Sequence, residues 1–266
     1  MQDAVIITGS AAGLGKALSH TLSSIGSNVI GIDKNTSADI IADLSTAHGR
    51  QLAVSSALDL CPRPKAVVAN AGLSPIHEDP FAILEVNWLG VKDVLDSFLH
   101  PLSKNKGGCA VAISSIGAAV GGDKELIDCL LEARISDAKS ILDKALKLSV
   151  VEAGIVAYSS CKVAVAQYVR ANAKLWGEKG VRLNCVAPGR METAMLEGLL
   201  SHEEIAPGIE ALPTGITKSA SASKVADVVA FFLSDQSSCS WSSPVCRWWF
   251  GITHTAKCYL ISTFTT

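Results

Sequence analysis

Short apolar runs alternate with amphipathic stretches along most of the chain. Between the first two runs, Leu18, Leu22 and Ile25 fall on one helical face that Gly26 closes, which predicts a strand, a helix and a second strand. Later runs are separated by enough chain for right-handed helical crossovers, and unbroken apolar runs are typical of parallel strands buried on both faces. The pattern predicts an α/β fold with a single doubly wound parallel sheet and helices on both faces. The apolar runs comprise residues 5–7, 28–32, 66–69, 109–113 and 181–186.

Composition narrows the choice of partners. The chain has 266 residues and a formal net charge of -2, so it lacks the basic field that neutralises a phosphate backbone, and we expect no nucleic-acid partner. Mean hydropathy is +0.33, yet no uninterrupted apolar stretch approaches the ~18 residues that a membrane-spanning helix requires. The apolar residues are therefore expected in a core, and no membrane contact is predicted.

The cysteines indicate neither a metal site nor a disulfide framework. There are eight, without a Cys-x-x-Cys pair, and no Cys or His cluster has zinc-ligand spacing. The apolar run from Ala4 directly follows Met1 to Asp3, which leaves no room for the basic and apolar regions of a secretory signal. We expect a reduced, cytoplasmic protein without a bound metal.

A glycine-rich stretch lies between the first strand and the first helix. Its glycines permit a tight turn, and a helix N-terminus there offers free N–H groups to a pyrophosphate. Asp33 ends the second strand, where its carboxylate can accept hydrogen bonds from the adenosine ribose hydroxyls and repel a 2'-phosphate. Alone, the glycine pattern also fits a strand end or a helix cap. With Asp33 it predicts a Rossmann-like site that prefers NAD to NADP, with the turn residues Thr8, Gly9, Ser10, Gly13, Leu14 and Gly15.

The second chemical signal is the pair Tyr158 and Lys162. Residues four apart on a helix face the same way, so the phenol and the ammonium can approach one another. A nearby cation favours the phenolate, which would suit a general acid/base, since tyrosine's reference pKa is ~10. Taken alone, an exposed helical pair is the alternative interpretation.

Together these motifs resemble the short-chain dehydrogenase/reductase family, and the resemblance continues to about Cys239. Ala69 stands where the family has the first Asn of Asn-Asn-Ala-Gly, a departure that leaves the turn intact. The resemblance implies one NAD-binding domain over residues 1–239. It also implies an NAD-dependent alcohol dehydrogenase/carbonyl reductase that interconverts a secondary alcohol and a ketone by hydride transfer. The further motifs are Asp43-Leu44, Asn70-Ala71-Gly72, Asn87, Ser114-Ser115, and Pro188-Gly189 with Thr193.

The resemblance also implies roles for individual residues. Tyr158 is expected to be the acid/base, with Lys162 lowering its pKa and holding the nicotinamide ribose. Ser115 is expected to hydrogen-bond the substrate oxygen, and Asn87 to support a proton-relay water. Ser114 is the weaker serine, because adjacent strand residues point to opposite faces. The implied cofactor contacts are Asp43 and Leu44 at the adenine, Asn70, Ala71 and Gly72 beside the adenosine ribose, Thr193 at the carboxamide, and also Pro188, Gly189, Tyr158 and Lys162.

An insertion precedes the tyrosine helix. Tyr158 lies 43 positions after Ser115, more than in most family members, and about 121–153 carries two amphipathic helical patterns. This insertion, with the segment 39–50, resembles the bacterial 3α-hydroxysteroid dehydrogenase/carbonyl reductase branch, and coniferyl-alcohol dehydrogenases are similar. The insertion is either a wall over a large apolar pocket or an oligomer contact. The resemblance implies a bulky apolar substrate such as a hydroxysteroid, with an aromatic alcohol as the alternative.

The segment 240–266 departs from the family pattern. Trp241 stands where the family has Gly, and Trp248-Trp249 stands where it has Gly-Gly. Because tryptophan has the single codon TGG, reading one nucleotide later converts all three to glycine. We hypothesise a reading frame displaced from about Ser240, the alternative being a divergent but genuine tail. Cys258 to Phe264 contains β-forming residues that could replace the missing edge strand.

Two classes of function therefore remain. One is a working oxidoreductase with a small-molecule alcohol or ketone substrate, forming a homo-oligomer where the last strand is intact. The other is a catalytically silent dinucleotide-binding protein. The presence of Asn87, Ser115, Tyr158 and Lys162 favours the enzyme, whereas the tail favours the silent protein.

Overall fold

A central sheet places the carboxyl ends of its parallel strands at one edge, where the predicted site residues lie. The structure, a computed structural model, describes residues 3–212 and 219–237 together with one short strand near the end of the chain. The predicted tail, with its hypothesised frameshift, lies outside the described residues apart from that strand. The strands are β1 (Val5–Thr8), β2 (Val29–Asp33), β3 (Ile40–Ile41), β4 (Ala66–Ala69), β5 (Cys109–Ile113), β6 (Arg182–Pro188), β7 (Met191–Glu192), β8 (Ala220–Ser221) and β9 (Cys258–Tyr259).

The strand order is that of a doubly wound sheet. In the described part of the chain the order is β3-β2-β1-β4-β5-β6-β9, and β7 pairs separately with β8. The pairings from β3 to β6 are all parallel, which confirms the predicted α/β class. β9 is antiparallel, with Tyr259 opposite Ala187 and Cys258 opposite Pro188. This edge therefore differs from the all-parallel sheet that the apolar runs predict.

Helices cover both faces of the sheet. Side chains alternate along the strands, so Ile6 faces one core cluster while Val5 and Ile7 face the other. The helices are α1 (Gly13–Ser24), α2 (Ala47–Leu60), α3 (Pro80–Leu84), α4 (Val91–Ser103), α5 (Lys124–Leu131), α6 (Ile135–Leu146), α7 (Val150–Glu178), α8 (Ala194–Ser201), α9 (Ala206–Ala211) and α10 (Ala222–Leu233). A π-helical segment, Glu85–Gly90, joins α3 to α4, and a 3-10 turn, Ile116–Ala119, follows β5.

The segment interpreted as an insertion contains α5 and α6. Leu126 and Leu130 of α5, and Ala138 and Leu142 of α6, are fully buried in the core cluster that also contains the inner face of α7. The amphipathic patterns therefore correspond to helices that pack onto the body of the chain. α7 begins at Val150, inside the range predicted for the insertion.

Candidate active site

The glycine-rich turn closes tightly between β1 and α1. Gly9 and Gly13 have φ values of +68° and +49°, in the left-handed region that favours glycine. A Cβ on Gly15 would lie 2.0 Å from the carbonyl oxygen of Gly9, so only glycine fits at this position. These three glycines are required by the turn itself, with or without a ligand.

Thr8 and Asn70 fasten the turn to the loop after β4. The Thr8 hydroxyl accepts hydrogen bonds from the backbone N–H groups of Asn70 and Ala71, both at 3.0 Å. The Asn70 side-chain amide donates to the carbonyl oxygens of Thr8 at 2.9 Å and Gly9 at 3.1 Å. Both side chains position the turn, a task that the sequence analysis did not assign to them.

Two other residues of the turn face the interior. The side chain of Leu14 is 5% exposed and belongs to a core cluster, so it packs against the fold. Ser10 packs against β2, since its Oγ lies 2.5 Å from where a Cβ on Gly31 would stand. The predicted contact of Leu14 with a cofactor therefore depends on its backbone more than on its side chain.

The start of α1 is free of a side-chain cap. Its N-cap residue, Ala12, makes no capping hydrogen bond. Thr193 lies across the turn, with its Cγ2 3.7 Å from where a Cβ on Gly13 would stand. Pro188 ends β6, and Gly189 follows it on the way to Thr193. The predicted cofactor-binding segment after β6 therefore meets the glycine-rich turn before α1. An uncapped helix N-terminus offers free backbone N–H groups and the positive end of the helix dipole, so the start of α1 beside Thr193 is suited to an anion.

Asp33 lies against the turn from the end of β2. One of its carboxylate oxygens accepts a hydrogen bond from the Ala11 N–H, and the other accepts from the Asn35 N–H, each at 3.0 Å. Asp39 adds a second carboxylate here, accepting from the Gly31 N–H at 2.7 Å. This end of β2 therefore carries two carboxylates close to the predicted dinucleotide site.

Asp43 and Leu44 lie between β3 and α2. The Ser45 N–H donates to the Asp43 carboxylate at 2.9 Å, and this hydrogen bond lowers the pKa of Asp43. Leu44 is buried at 6% exposure. A Cβ on Gly49 would lie 1.9 Å from the Asp43 carbonyl oxygen, so the first turn of α2 packs directly on this segment.

Ser115 and Tyr158 come together beside the 3-10 turn. Ser115 caps that turn, its hydroxyl accepting from the Gly117 N–H at 3.1 Å. The Tyr158 ring packs on Gly117, because a Cβ there would lie 3.2 Å from Cε1 of the ring. Ser114 is buried, and its hydroxyl donates to the Lys162 carbonyl oxygen at 2.7 Å. The two serines therefore have different partners, and Ser115 is the one beside the phenol.

Lys162 is buried behind Tyr158. Its Nζ lies 5.7 Å from the centre of the Tyr158 ring and donates to the carbonyl oxygen of Ile113 at 3.0 Å. Burial lowers the pKa of Lys162 to about 8. The Ile113 carbonyl is a contact that the sequence analysis missed, because a backbone acceptor leaves no signal in the residue type.

Two effects act on the pKa of Tyr158. Burial raises this pKa, and a hydrogen bond with Ser115 opposes the rise. Lys162 directs its ammonium to the Ile113 carbonyl, with Nζ 5.7 Å from the centre of the phenol ring. The lowering of the Tyr158 pKa by Lys162, which the resemblance implies, stays a prediction.

Asn87 lies in the π-helical segment and is fully buried. Its side-chain oxygen accepts from the Leu73 N–H at 2.7 Å, and its amide donates to the Leu73 carbonyl at 3.0 Å. A Cβ on Gly72 would lie 3.3 Å from Oδ1 of Asn87 and 3.5 Å from Nζ of Lys162. Asn87, Gly72 and Lys162 are thus brought together, and the Asn87 side chain positions the loop after β4. Single π-helical turns are frequent at functional sites.

The described cysteines take no part in this chemistry. Cys61, Cys109, Cys129, Cys161 and Cys185 are free and buried. Burial raises the pKa of both Cys161 and Cys185 to about 12, so these thiols beside Lys162 stay protonated at neutral pH. Within residues 3–212 and 219–237, no cluster of three or more His, Cys, Asp or Glu side chains could hold a metal ion. No helix in the described part of the chain is long and apolar enough to cross a membrane.

Comparison with known proteins identifies the class of enzyme. A family model described as enoyl-(acyl carrier protein) reductase matches residues 134–241. The 3-alpha-hydroxysteroid dehydrogenase/carbonyl reductase of Comamonas testosteroni is 35% identical over 237 residues, covering 88% of this chain and 90% of that protein. The coniferyl-alcohol dehydrogenase of a Pseudomonas species is 28% identical over 242 residues, with 88% and 90% coverage.

A solved structure agrees with these relatives. The 3-alpha-hydroxysteroid dehydrogenase from Pseudomonas sp. B-0831, complexed with NADH, matches with a TM-score of 0.79 and 32% identity over 88% of this chain and 91% of that one. The fold is that of this solved oxidoreductase. The chain belongs to the short-chain dehydrogenase/reductase family.

Proposed function

We propose that the chain interconverts a secondary alcohol and a ketone by hydride transfer to or from NAD. The observation that carries this proposal is the convergence of Ser115, Tyr158 and Lys162 at the carboxyl edge of the sheet, beside Gly72 and Asn87. A phenol with an adjacent hydroxyl and an ammonium behind it suits proton transfer to or from an alcohol oxygen.

The residues at the strand ends fit a dinucleotide. The uncapped start of α1 and the turn around Gly13 suit a pyrophosphate. Asp33 supports NAD over NADP, because its carboxylate would repel a 2'-phosphate. Asp43, the loop 70–72, Lys162 and the segment from Pro188 to Thr193 would hold the rest of the cofactor. When bound, NAD accepts the hydride that leaves the alcohol carbon.

The proton moves through Tyr158. In oxidation the substrate O–H bond breaks, its proton passes to the Tyr158 phenolate and hydride leaves the carbon, which gives a ketone and NADH. In reduction the neutral phenol returns its proton to the oxygen, while Ser115 orients that oxygen. Because burial raises the pKa of Tyr158, the phenol predominates at neutral pH, so oxidation should accelerate as the pH rises.

The substrate is a bulky apolar alcohol or ketone, with a hydroxysteroid as the first candidate. Val120, just after the 3-10 turn that Tyr158 packs on, is 70% exposed. Ile155, one helical turn before Tyr158, is 43% exposed. Exposed apolar side chains on the turn and the helix that carry the proposed catalytic residues could contribute a surface for an apolar ligand. The relatives named for hydroxysteroids and coniferyl alcohol support the same class and make aromatic alcohols the alternative.

The test is NADH fluorescence during turnover of hydroxysteroids and aromatic alcohols with NAD. Tyr158→Phe should lower kcat/KM by about 100-fold to 10,000-fold, the range of general acid–base catalysis, while NADH binding persists. Tyr168→Phe is the matched control, because the hydroxyl of this second tyrosine of α7 donates to Asp96 and is not among the groups proposed to touch substrate or cofactor. A second chain carries the tail in the alternative reading frame. Turnover by that chain alone would show that the active site is functional and that the given tail abolishes activity. NADH binding without turnover in both chains would establish the silent protein instead.

A further inference from the structure

An ionic cluster around the buried guanidinium of Arg50 lies beside the candidate site, and none of the motifs accounts for it. Arg50 in the first turn of α2 is 6% exposed. Its Nε donates to Asp93 of α4 at 2.7 Å, and its Nη1 donates to Glu85 and to the Leu44 carbonyl oxygen, both at 3.1 Å. One guanidinium therefore joins three separate parts of the chain.

Glu85 extends the cluster to the segment interpreted as an insertion. Its second carboxylate oxygen accepts from Lys139 of α6 at 2.8 Å. The side chain of Glu85 is 18% exposed, whereas those of Asp93 and Lys139 are about two-fifths exposed. The charges of two cations and two carboxylates cancel, and the buried guanidinium has a carboxylate partner on two sides. We call Arg50, Glu85, Asp93 and Lys139 the Arg50 cluster.

The segments that the cluster joins serve opposite ends of the predicted site. Leu44 directly follows Asp43, on whose carbonyl α2 packs at Gly49. Glu85 begins the π-helical segment, and two residues later Asn87 fixes the loop at Leu73. We propose that Arg50 and Glu85 are positioning residues that set the adenine-side segment and the Asn87 segment relative to each other. This inference rests on the proposed function, because it takes those two segments as parts of the NAD site.

If the Arg50 cluster has a purely structural role, different results are expected. Removing one partner of a buried ion pair lowers the free energy of unfolding. A cluster that only stabilises the fold would therefore change thermal melting but would not alter cofactor binding or kcat in the folded fraction. A positioning role alters both. Arg50 contacts the Leu44 carbonyl directly, whereas Glu85 lies in the Asn87 segment and reaches Leu44 only through Arg50.

The experiment compares Arg50→Met and Glu85→Gln with the full chain. NADH binding is followed by fluorescence titration, kcat is measured at saturating NAD, and stability is measured by thermal melting. Arg50→Met should raise the Kd for NADH about tenfold and lower kcat about tenfold, the effect of losing one good contact at each segment. Glu85→Gln, which keeps the side-chain size, should lower kcat while the Kd for NADH changes less than about twofold. Arg50→Lys should restore only part of the loss, since an ammonium lacks the forked geometry of a guanidinium.

Lys124→Met is the matched control, since it removes an exposed ion pair of α5 with Asp128 and should change neither constant. If the parent chain binds NADH and turns over substrate but both cluster variants match it, the positioning role is overturned and the proposed function stands. If Arg50→Met does not fold, Glu85→Gln decides: an unchanged kcat overturns the inference. If the parent chain binds no NADH, the proposed function fails and this inference fails with it.

Discussion

Replacing Lys162 by methionine should change stability in a pH-dependent way. Lys162 is 4% exposed, and burial lowers its pKa from 10.5 to about 8. At ~1.4 kcal/mol per pH unit, the buried ammonium destabilises the folded chain by about 3 kcal/mol below pH 8. Because the folded-state pKa is the lower one, the folded chain loses this proton first as the pH rises. The destabilisation therefore shrinks between pH 8 and 10.5 and vanishes above that range.

Methionine carries no charge, so Lys162→Met removes this pH-dependent term. It also leaves the Ile113 carbonyl without its donor at a cost of about 1–3 kcal/mol that does not depend on pH. The free energy of unfolding of the variant minus that of the parent should thus fall by about 2 kcal/mol between pH 7 and pH 9.5.

Urea unfolding at the two pH values measures this difference. Buried thiols and Tyr158 also titrate as the pH rises, but they are present in both chains, so the comparison cancels most of their contribution. Lys174→Met is the control, since its side chain lies on the same helix and is 85% exposed. A difference between parent and Lys162→Met that stays constant from pH 7 to 9.5 would refute the reasoning.

Three further outcomes are expected. Asp33→Asn should raise the ratio of kcat/KM with NADP to that with NAD by at least about tenfold, because it removes the charge that repels a 2'-phosphate; steady-state kinetics with an unchanged ratio would contradict this. Asn87→Ala should lower the free energy of unfolding by about 2–4 kcal/mol, since two backbone groups of Leu73 lose their partners; urea unfolding measures it, and a change below that range would show that water replaces the amide. Arg182→Met should destabilise the chain by about 1–3 kcal/mol, because its guanidinium donates to two carbonyls at the end of α10; a thermal melt equal to that of the parent would contradict this.

The parts of the fold that the sequence predicts are those governed by local rules. Apolar runs give β1, β2, β4, β5 and β6, because strands buried on both faces need apolar residues at every position. The glycines of the first turn are readable because positive φ and close backbone approach exclude other residues. The pairing of Tyr158 with Lys162 follows from helical periodicity alone.

What escaped prediction depends on contacts between distant parts of the chain. The two-residue strand β3 is too short for a periodic pattern. The sequence offers Cys258 to Phe264 as a replacement edge strand but does not give its register, and β9 in that segment pairs antiparallel with β6. The π-helical segment around Asn87 has no sequence signature. The carboxylate partners of Arg50 lie 35 and 43 positions away, so neither spacing nor residue type could reveal them. The pKa values of Tyr158 and Lys162 depend on burial, which motif matching does not measure.

The environment of Lys162 bears on the choice between an enzyme and a silent dinucleotide-binding protein. An ammonium held at 4% exposure with one backbone acceptor destabilises the fold at neutral pH. A phenol buried beside it has a raised pKa, so its neighbourhood does not favour the phenolate by itself. An apolar side chain at position 162 would avoid the burial of an ammonium, and phenylalanine at position 158 would keep the ring that packs against the core. A buried ammonium and a buried phenol side by side are explained by proton transfer next to a bound cofactor and not by the stability of the fold. The pair of Lys162 and Tyr158 therefore favours the oxidoreductase.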